Sequence, residues 1–321
     1  MDRRCLTGLF AVLVLTGLSF FPVPSAFAQQ LYVSNDNTPG GVLQFTLPIS
    51  SSSISNFSIP SDNVVTVGLD GNGNLALGDF VGNLKFFTRT LSGASTPSAS
   101  FKNGTGTNDG QIVFTAGGDF FVPTVGNRVN FFTHPFSNAS TPSLSLTNSA
   151  MASAIGLALD AAQNLYISNA GTGTSITCSS GATTCSNILV YAPPYTGTPV
   201  VTANVISTAY RKMGVSATQL FVASVAGTTG RVDVYNLPIT STSVPAFSIV
   251  NGINLPEGVA IDAAGSLYIG NLADATVVVY APPFSAASVP TVTLKVSNGT
   301  FALFGIAIGN SQPLRRRSVK H

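Results

Sequence analysis

One phrase recurs along the whole chain and limits what it can fold into. Leu31-Tyr-Val-Ser-Asn35, Leu165-Tyr-Ile-Ser-Asn169 and Leu267-Tyr-Ile-Gly-Asn271 are near copies. Looser copies stand at Leu75-Ala-Leu-Gly-Asp79, Phe120-Phe-Val-Pro-Thr124 and Leu220-Phe-Val-Ala-Ser224. These six are spaced 44 to 55 residues apart. A period of that size belongs to repeat arrays in which each unit is one small sheet that cannot bury its own faces.

Each copy sits in a four-strand unit, A to D. Strand B is the phrase itself. Strand A precedes it at 64–70, 112–115, 155–160, 213–216 and 258–262, joined to B by turns such as Asp70-Gly-Asn-Gly-Asn74 and Asp262-Ala-Ala-Gly265. Asp and Asn side chains bond nearby backbone, and Gly accepts positive φ, so these are turn residues. Strand C follows at 42–45, 84–87, 129–132, 188–191, 232–235 and 277–280, rich in β-branched and aromatic residues. Proline-rich punctuation comes next, as in Ala281-Pro-Pro-Phe284. Proline removes a ladder donor and so belongs at turns or edges. A short strand D closes the unit, for example 98–101, 143–146, 247–250 and 291–296.

The two ends of the chain complete each other. The first unit begins at strand B, with no strand A of its own. Gly305-Ile-Ala-Ile-Gly309 is a strand A with no B after it. Pairing the two closes a ring and leaves only short outer edges. The expected fold is therefore all-β, a six-bladed β-propeller of four-stranded antiparallel blades over residues 29–311. Composition agrees: 45 % of residues are apolar and 8 % charged, as suits inner strands buried on both faces.

The start and end read differently. Arg3 and Arg4, the apolar run 6–21 and Ala26-Phe-Ala28 have the form of a secretory signal peptide over 1–28, cleaved near Ala28. The expected compartment is therefore secreted or periplasmic. In that setting Cys178 and Cys185, the two cysteines that survive cleavage, are expected to pair as a disulfide. No later stretch suits a membrane span. Residues 312–321, with Arg315 to Arg317 and Lys320, form a basic tail expected to be disordered. Between 29 and 314 there are 8 Lys and Arg against 11 Asp and Glu, net −3, with no basic stripe for nucleic acid. The expected state is a monomer.

Pro256-Glu-Gly-Val-Ala-Ile-Asp-Ala-Ala-Gly-Ser-Leu-Tyr-Ile-Gly-Asn271 resembles an NHL-type repeat and is similar to the repeats of regucalcin/gluconolactonase-like propellers. That resemblance implies the ring but leaves function open, since propellers host enzymes and scaffolds alike. In the lactonase-like relatives, an Asn ahead of strand A and an acid ending a strand B help hold a catalytic metal. Glu257 takes the first place here and Asn271 the second. Val65, Ile155 and Phe304 stand at the positions matching Glu257 in other blades.

Antiparallel geometry puts the start of A and the end of B at one mouth of the channel, the upper mouth. Asn35, Asp79, Asn169, Glu257 and Asn271 are expected to ring it, with the 171–187 insertion above as a lid or knob. Such oxygens either bind a ligand or a hard ion such as calcium, or simply cap strand ends. Arg211 and Lys212 are either solvated or placed to hold an anion. His134, the one histidine of the body, falls near the outer rim, so no Ser-His-Asp device is expected. Asn56, Asn103, Asn138 and Asn298 begin glycosylation sequons. The reading that follows is an exported, non-catalytic binding scaffold without a cofactor, taking a protein or small-molecule partner at one mouth. A calcium-dependent lactonase or similar hydrolase is the alternative.

Overall fold

The computed structural model describes residues 28–310 apart from 37–39, 105–109, 125, 171–185, 206–208, 227–228 and 297–301. The signal-peptide segment up to residue 27, Cys178, Cys185, Asn298, the basic tail and all but the last two residues of the insertion lie outside it.

The described residues form six four-stranded antiparallel sheets and no helix. Blade I joins β24 (Leu303–Asn310), β1 (Gln29–Asn35), β2 (Gly41–Thr46) and β3 (Phe57–Pro60). Blade II is β4 (Val64–Leu69), β5 (Leu75–Asp79), β6 (Asn83–Phe87) and β7 (Ala99–Lys102). Blade III is β8 (Val113–Phe114), β9 (Phe120–Thr124), β10 (Arg128–Phe132) and β11 (Leu144–Thr147). Blade IV is β12 (Ala154–Leu159), β13 (Leu165–Asn169), β14 (Ser186–Tyr191) and β15 (Val201–Val205). Blade V is β16 (Tyr210–Val215), β17 (Gln219–Ala226), β18 (Thr229–Asn236) and β19 (Phe247–Ile249). Blade VI is β20 (Pro256–Ile261), β21 (Leu267–Asn271), β22 (Thr276–Tyr280) and β23 (Val292–Lys295).

The ring closes where the chain ends meet. β24 pairs with β1 from Gln29↔Asn310 to Asn35↔Leu303. This is the six-bladed propeller the repeats predict. Two D strands, β3 and β15, are additions to the sequence reading, and β16 starts at Tyr210 rather than Met213.

Apolar residues meet between blades rather than within them. Six clusters are found, one per interface. A latch recurs at each. After strand C, one apolar residue from the C–D turn packs on the preceding blade. Leu91, Phe136, Tyr195, Ile239 and Phe284 do so along the chain. Ile49 of blade I closes on Tyr268, Val277 and Val279 of blade VI. In five of these turns a Ser hydroxyl accepts the backbone N–H three residues back, as Ser53 does from Ser50 at 2.8 Å and Ser288 from Ser285 at 2.9 Å. The turn thereby satisfies its own backbone while its apolar residue is driven inward.

Three of the A–B turns at the lower mouth are built by aspartates, Asp70, Asp160 and Asp262, while in blade V the Ser216 hydroxyl accepts the turn's N–H groups. Asp70 Oδ1 accepts the N–H groups of Asn72 and Asn74, both at 2.8 Å. Asp160 and Asp262 also accept the hydroxyls of Tyr166 and Tyr268, at 3.0 and 3.1 Å.

Burial holds all eight tyrosines above the ordinary phenol value. Tyr32 is pushed up to about 12 by burial alone. Tyr166 and Tyr268 go higher because, beyond burial, the Asp160 and Asp262 carboxylates repel a phenolate. A raised phenol favours the neutral form in the fold. Its stabilising share is full below about pH 10 and is lost as pH climbs through the folded values. Tyrosinate absorbance is therefore expected to stay low past pH about 10 and then rise in one step together with loss of sheet circular dichroism. A gradual rise centred near the free-phenol value, with the sheet signal intact, would contradict this packing.

Candidate functional site: the stoppered channel and its upper mouth

The inner edge of every strand A aims backbone N–H and C=O groups at the channel axis. No further strand can pair with them, yet buried backbone groups need partners. Register decides which side chains can serve. Pairings of Thr66 with Gly78, Gly156 with Ser168 and Gly258 with Gly270 mark one rung. The same rung is occupied by Gly305, Gln111 and Lys212 in blades I, III and V, since Ile306 and Met213 pair one position below it and Val113 two positions below it. Three glycines thus share this rung with three longer side chains, Thr66, Gln111 and Lys212. A Cβ on Gly156 would lie 2.4 Å from the Arg211 carbonyl oxygen, so glycine is what lets blades IV and V approach there.

The three longer side chains stopper the channel. Lys212, 2 % exposed, crosses the axis from blade V. Its Nζ donates to the carbonyl of Val65 in opposite blade II at 2.8 Å and to that of Phe304 in blade I. The ammonium also lies 5.9 Å from the centre of the Phe304 ring, within cation–π range. Gln111 acts as a surrogate strand. Its Nε2 donates to Met213 O at 2.9 Å, and its Oε1 accepts the N–H of Met213 at 2.9 Å and of Leu157 at 3.3 Å. Thr66 Oγ1 accepts the N–H of Ile112 at 3.1 Å. Lys212 is therefore not solvated, as one sequence reading had it. Below the stopper a cavity of about 260 Å³ opens toward the lower mouth, walled by aliphatic residues such as Leu69, Leu159, Val215, Ile261 and Ile308.

Above the stopper the strands carry a bulge, and the bulged residues face the upper mouth. Glu257 is one, between the Pro256 and Gly258 pairings. Val65, Ile155, Arg211 and Phe304 stand at matching places. Arg211 Nε lies 3.2 Å from Glu257 Oε1, the carboxylate being 8 % exposed and the guanidinium 30 %. That buried Nε has no aligned hydrogen-bond acceptor, so the contact is Coulombic. Asp36 follows β1 at the same mouth. Burial raises its carboxyl above the usual range, opposed by its own backbone N–H and by the Lys212 charge. Phe80 meets Phe304 edge to face at 5.4 Å.

The asparagines and aspartate proposed from sequence lie at this mouth, each opposite the first residue of its strand A: Asn35 on Leu303, Asp79 on Val64, Asn169 on Ala154 and Asn271 on Pro256. Their polar atoms hold loops. Asn169 Oδ1 accepts the N–H of Ala152 and Ser153 at 2.8 and 2.6 Å, and Asn271 Oδ1 that of Asn254 at 3.0 Å. Asp79 accepts from Val81 and Asn83, and Asn35 from Ala302. Among the candidate residues, the structure brings Glu257 against Arg211. A hard cation needs several oxygens free to converge. Here the carboxylate faces a guanidinium with an ammonium beneath it, and the amide oxygens already accept N–H groups. The donor set does not fit calcium, and among the described residues no three His, Cys, Asp or Glu gather.

His134 sits on the rim, its ring 2.6 Å from Asp119. Of the sequon asparagines, Asn103 is fully buried and donates to Pro123 O at 3.0 Å, while Asn56 Nδ2 is bonded to Gln44 and Thr46.

Comparison with known proteins supports the fold. No protein-family model matches the chain, and no curated protein matches it in sequence. Solved structures do match. A candidate 6-phosphogluconolactonase of Bacteroides fragilis aligns at TM-score 0.62 with 10 % identity, over 89 % of this chain and 99 % of that one. A functionally unknown protein of Desulfotomaculum acetoxidans aligns at 0.59 and 12 %, over 89 % and 90 %. A protein of Lactobacillus plantarum aligns at 0.60 and 11 %, over 88 % and 99 %. Identities this low establish the shared propeller alone.

Proposed function

We propose that this chain is an exported binding propeller of the NHL or gluconolactonase-like kind, which holds a ligand or partner at its upper mouth and performs no covalent chemistry on it. The observation that carries this reading is the Arg211–Glu257 pair above a channel closed by Lys212. The only glutamate in the chain is neutralised where a metal-dependent hydrolase would need an open carboxylate. In this reading residues 1–28 are removed on export, Cys178 and Cys185 pair within the insertion, and the strand-end residues Asn35, Asp79, Asn169 and Asn271 shape the rim.

The likeness to a candidate 6-phosphogluconolactonase keeps one alternative in view, a calcium-dependent lactonase. Purified mature protein is expected to carry no stoichiometric metal by elemental analysis. Its melting should be unchanged by chelator, and lactone opening should not exceed the rate in buffer. Calcium-dependent turnover abolished by Glu257→Ala would overturn the scaffold reading.

A further inference from the structure

On the outer side of blade II a groove of about 570 Å³ runs along the β6–β7 face and under the C–D turn of blade III. We infer that this groove docks an acidic segment of a partner protein in extended form, added as a strand to the outer edge of β7 at Lys102. The proposal is independent of the upper mouth.

Charge is the first ground. Lys85 and Lys102 both line the groove, and none of its lining residues is a carboxylate. The 29–314 stretch has only 8 basic residues and a net charge of −3, so two ammonium groups in one groove are a marked local excess. Lys85 pairs across the ladder with Ser100, and Asn83 with Lys102, which puts both ammonium groups on one face. Among the described residues, each is hydrogen-bonded to a neutral oxygen: Ser61 Oγ at 2.9 Å for Lys85, and the Val81 carbonyl at 3.4 Å for Lys102.

The second ground is the phase of the ladder. Asn103 N–H bonds Gly82 O, so Phe101 and Ala99 bond inward to β6 while Ser100 and Lys102 point their backbone groups outward. The outward N–H of Ser100 already takes a carbonyl oxygen, that of the Asn138 side chain, at 2.9 Å. An amide oxygen thus stands where a partner strand's carbonyl would. The next outward donor along the edge is Lys102 N–H, beside its own ammonium. Backbone pairing at such an edge gives affinity, and the flanking side chains give specificity.

The third ground is internal contrast. Pro60 of β3 pairs with Gly41 as Lys102 pairs with Asn83. Blade I therefore has a proline at the place where blade II has an outward donor. Proline is a common way to blunt an edge.

The test uses the mature full chain and a blocked Glu-Val-Glu-Val-Glu peptide at low salt. Three comparison ligands are its Gln-for-Glu form, a backbone N-methylated form and a sulfated polysaccharide as a non-peptide polyanion. Binding of the acidic peptide is expected, weakening with salt. The double variant Lys85→Gln, Lys102→Gln should weaken it about tenfold. Lys102→Pro should weaken it further than Lys102→Gln, with melting unchanged because Pro60 already occupies that place in blade I. Equal binding of the N-methylated peptide or the polysaccharide would reduce the groove to charge alone and overturn strand addition. An acidic peptide that fails to bind, or that binds the double variant as well as the wild type, would overturn the site.

Discussion

A chain ending at Val296, and so lacking β24, is expected not to fold cooperatively. β24 is the inner strand of blade I, and its loss removes more than one ladder. Leu303 is fully buried, Ile306 nearly so, and both belong to the cluster that joins blade VI to blade I. Packing there is tight: a Cβ on Gly270 would lie 2.2 Å from Leu303 Cδ2. The carbonyl of Phe304 is one of the two that receive Lys212. Without β24, β1 would become an exposed inner edge, and the faces of β4 and β20 would lose their common neighbour. Ala307→Pro is the milder variant, since Ala307 pairs with Tyr32 in mid-ladder and proline removes that donor. Truncation should abolish the cooperative urea transition and enlarge the hydrodynamic radius. Ala307→Pro should lower the transition midpoint while keeping the native radius. A truncated chain with a native-like transition would mean the ring holds without its closing strand.

The ring was legible because it is written in what repeats. Six copies of strand B fix the number of blades, and a strand A without a B at 305–309 fixes how they close. Strands whose identity rests on tertiary packing were harder to read. β3 is Phe-Ser-Ile-Pro and β15 is Val-Thr-Ala-Asn-Val. Both are short outer strands with weak local preference, formed because a C strand lies beside them. The latch residues were missed for a different reason. Ile49, Phe136 and Phe284 each follow a proline and precede a Ser or Thr, a pattern as regular as strand B, but one that resembles loop punctuation until its apolar member is seen to pack on the neighbouring blade. At the candidate site, the chain direction gives the mouth but not the partners. Arg211 and Glu257 are distant in sequence and meet only because blades V and VI are adjacent in the ring. One signal was available. Aligned by blade, Lys212 shares a slot with Gly156, Gly258 and Gly305 and with the shorter Thr66 and Gln111, and a long cation there must reach across whatever that slot faces.

That reach leads to a second large effect. Lys212→Ala should destabilise the fold by about 2 to 4 kcal/mol, read as a shift of the urea midpoint at constant slope. The loss has two sources. The carbonyls of Val65 and Phe304 would face the axis without a donor, and a void would open among blades I, II and V. A gain partly offsets it, because the chain no longer buries an ammonium. Lys212→Met separates these contributions: it fills much of the space, spares the ammonium, and still leaves both carbonyls unpaired. It should cost less than alanine. The pH dependence should then change in a stated direction. Burial raises the Asp36 carboxyl, and the Lys212 charge pulls it back down. With methionine at 212 that opposing pull is gone, so the carboxyl should rise further. A raised carboxyl favours the neutral form in the fold. Its stabilising share is present below the ordinary carboxylate value and is lost as pH rises through the folded value. The deficit of Lys212→Met relative to wild type should therefore be smaller in acid than at neutral pH, and Asp36→Asn should remove that difference. A deficit independent of pH would uncouple Asp36 from the stopper, and an alanine variant as stable as wild type would mean that Lys212 does not tie the blades across the axis.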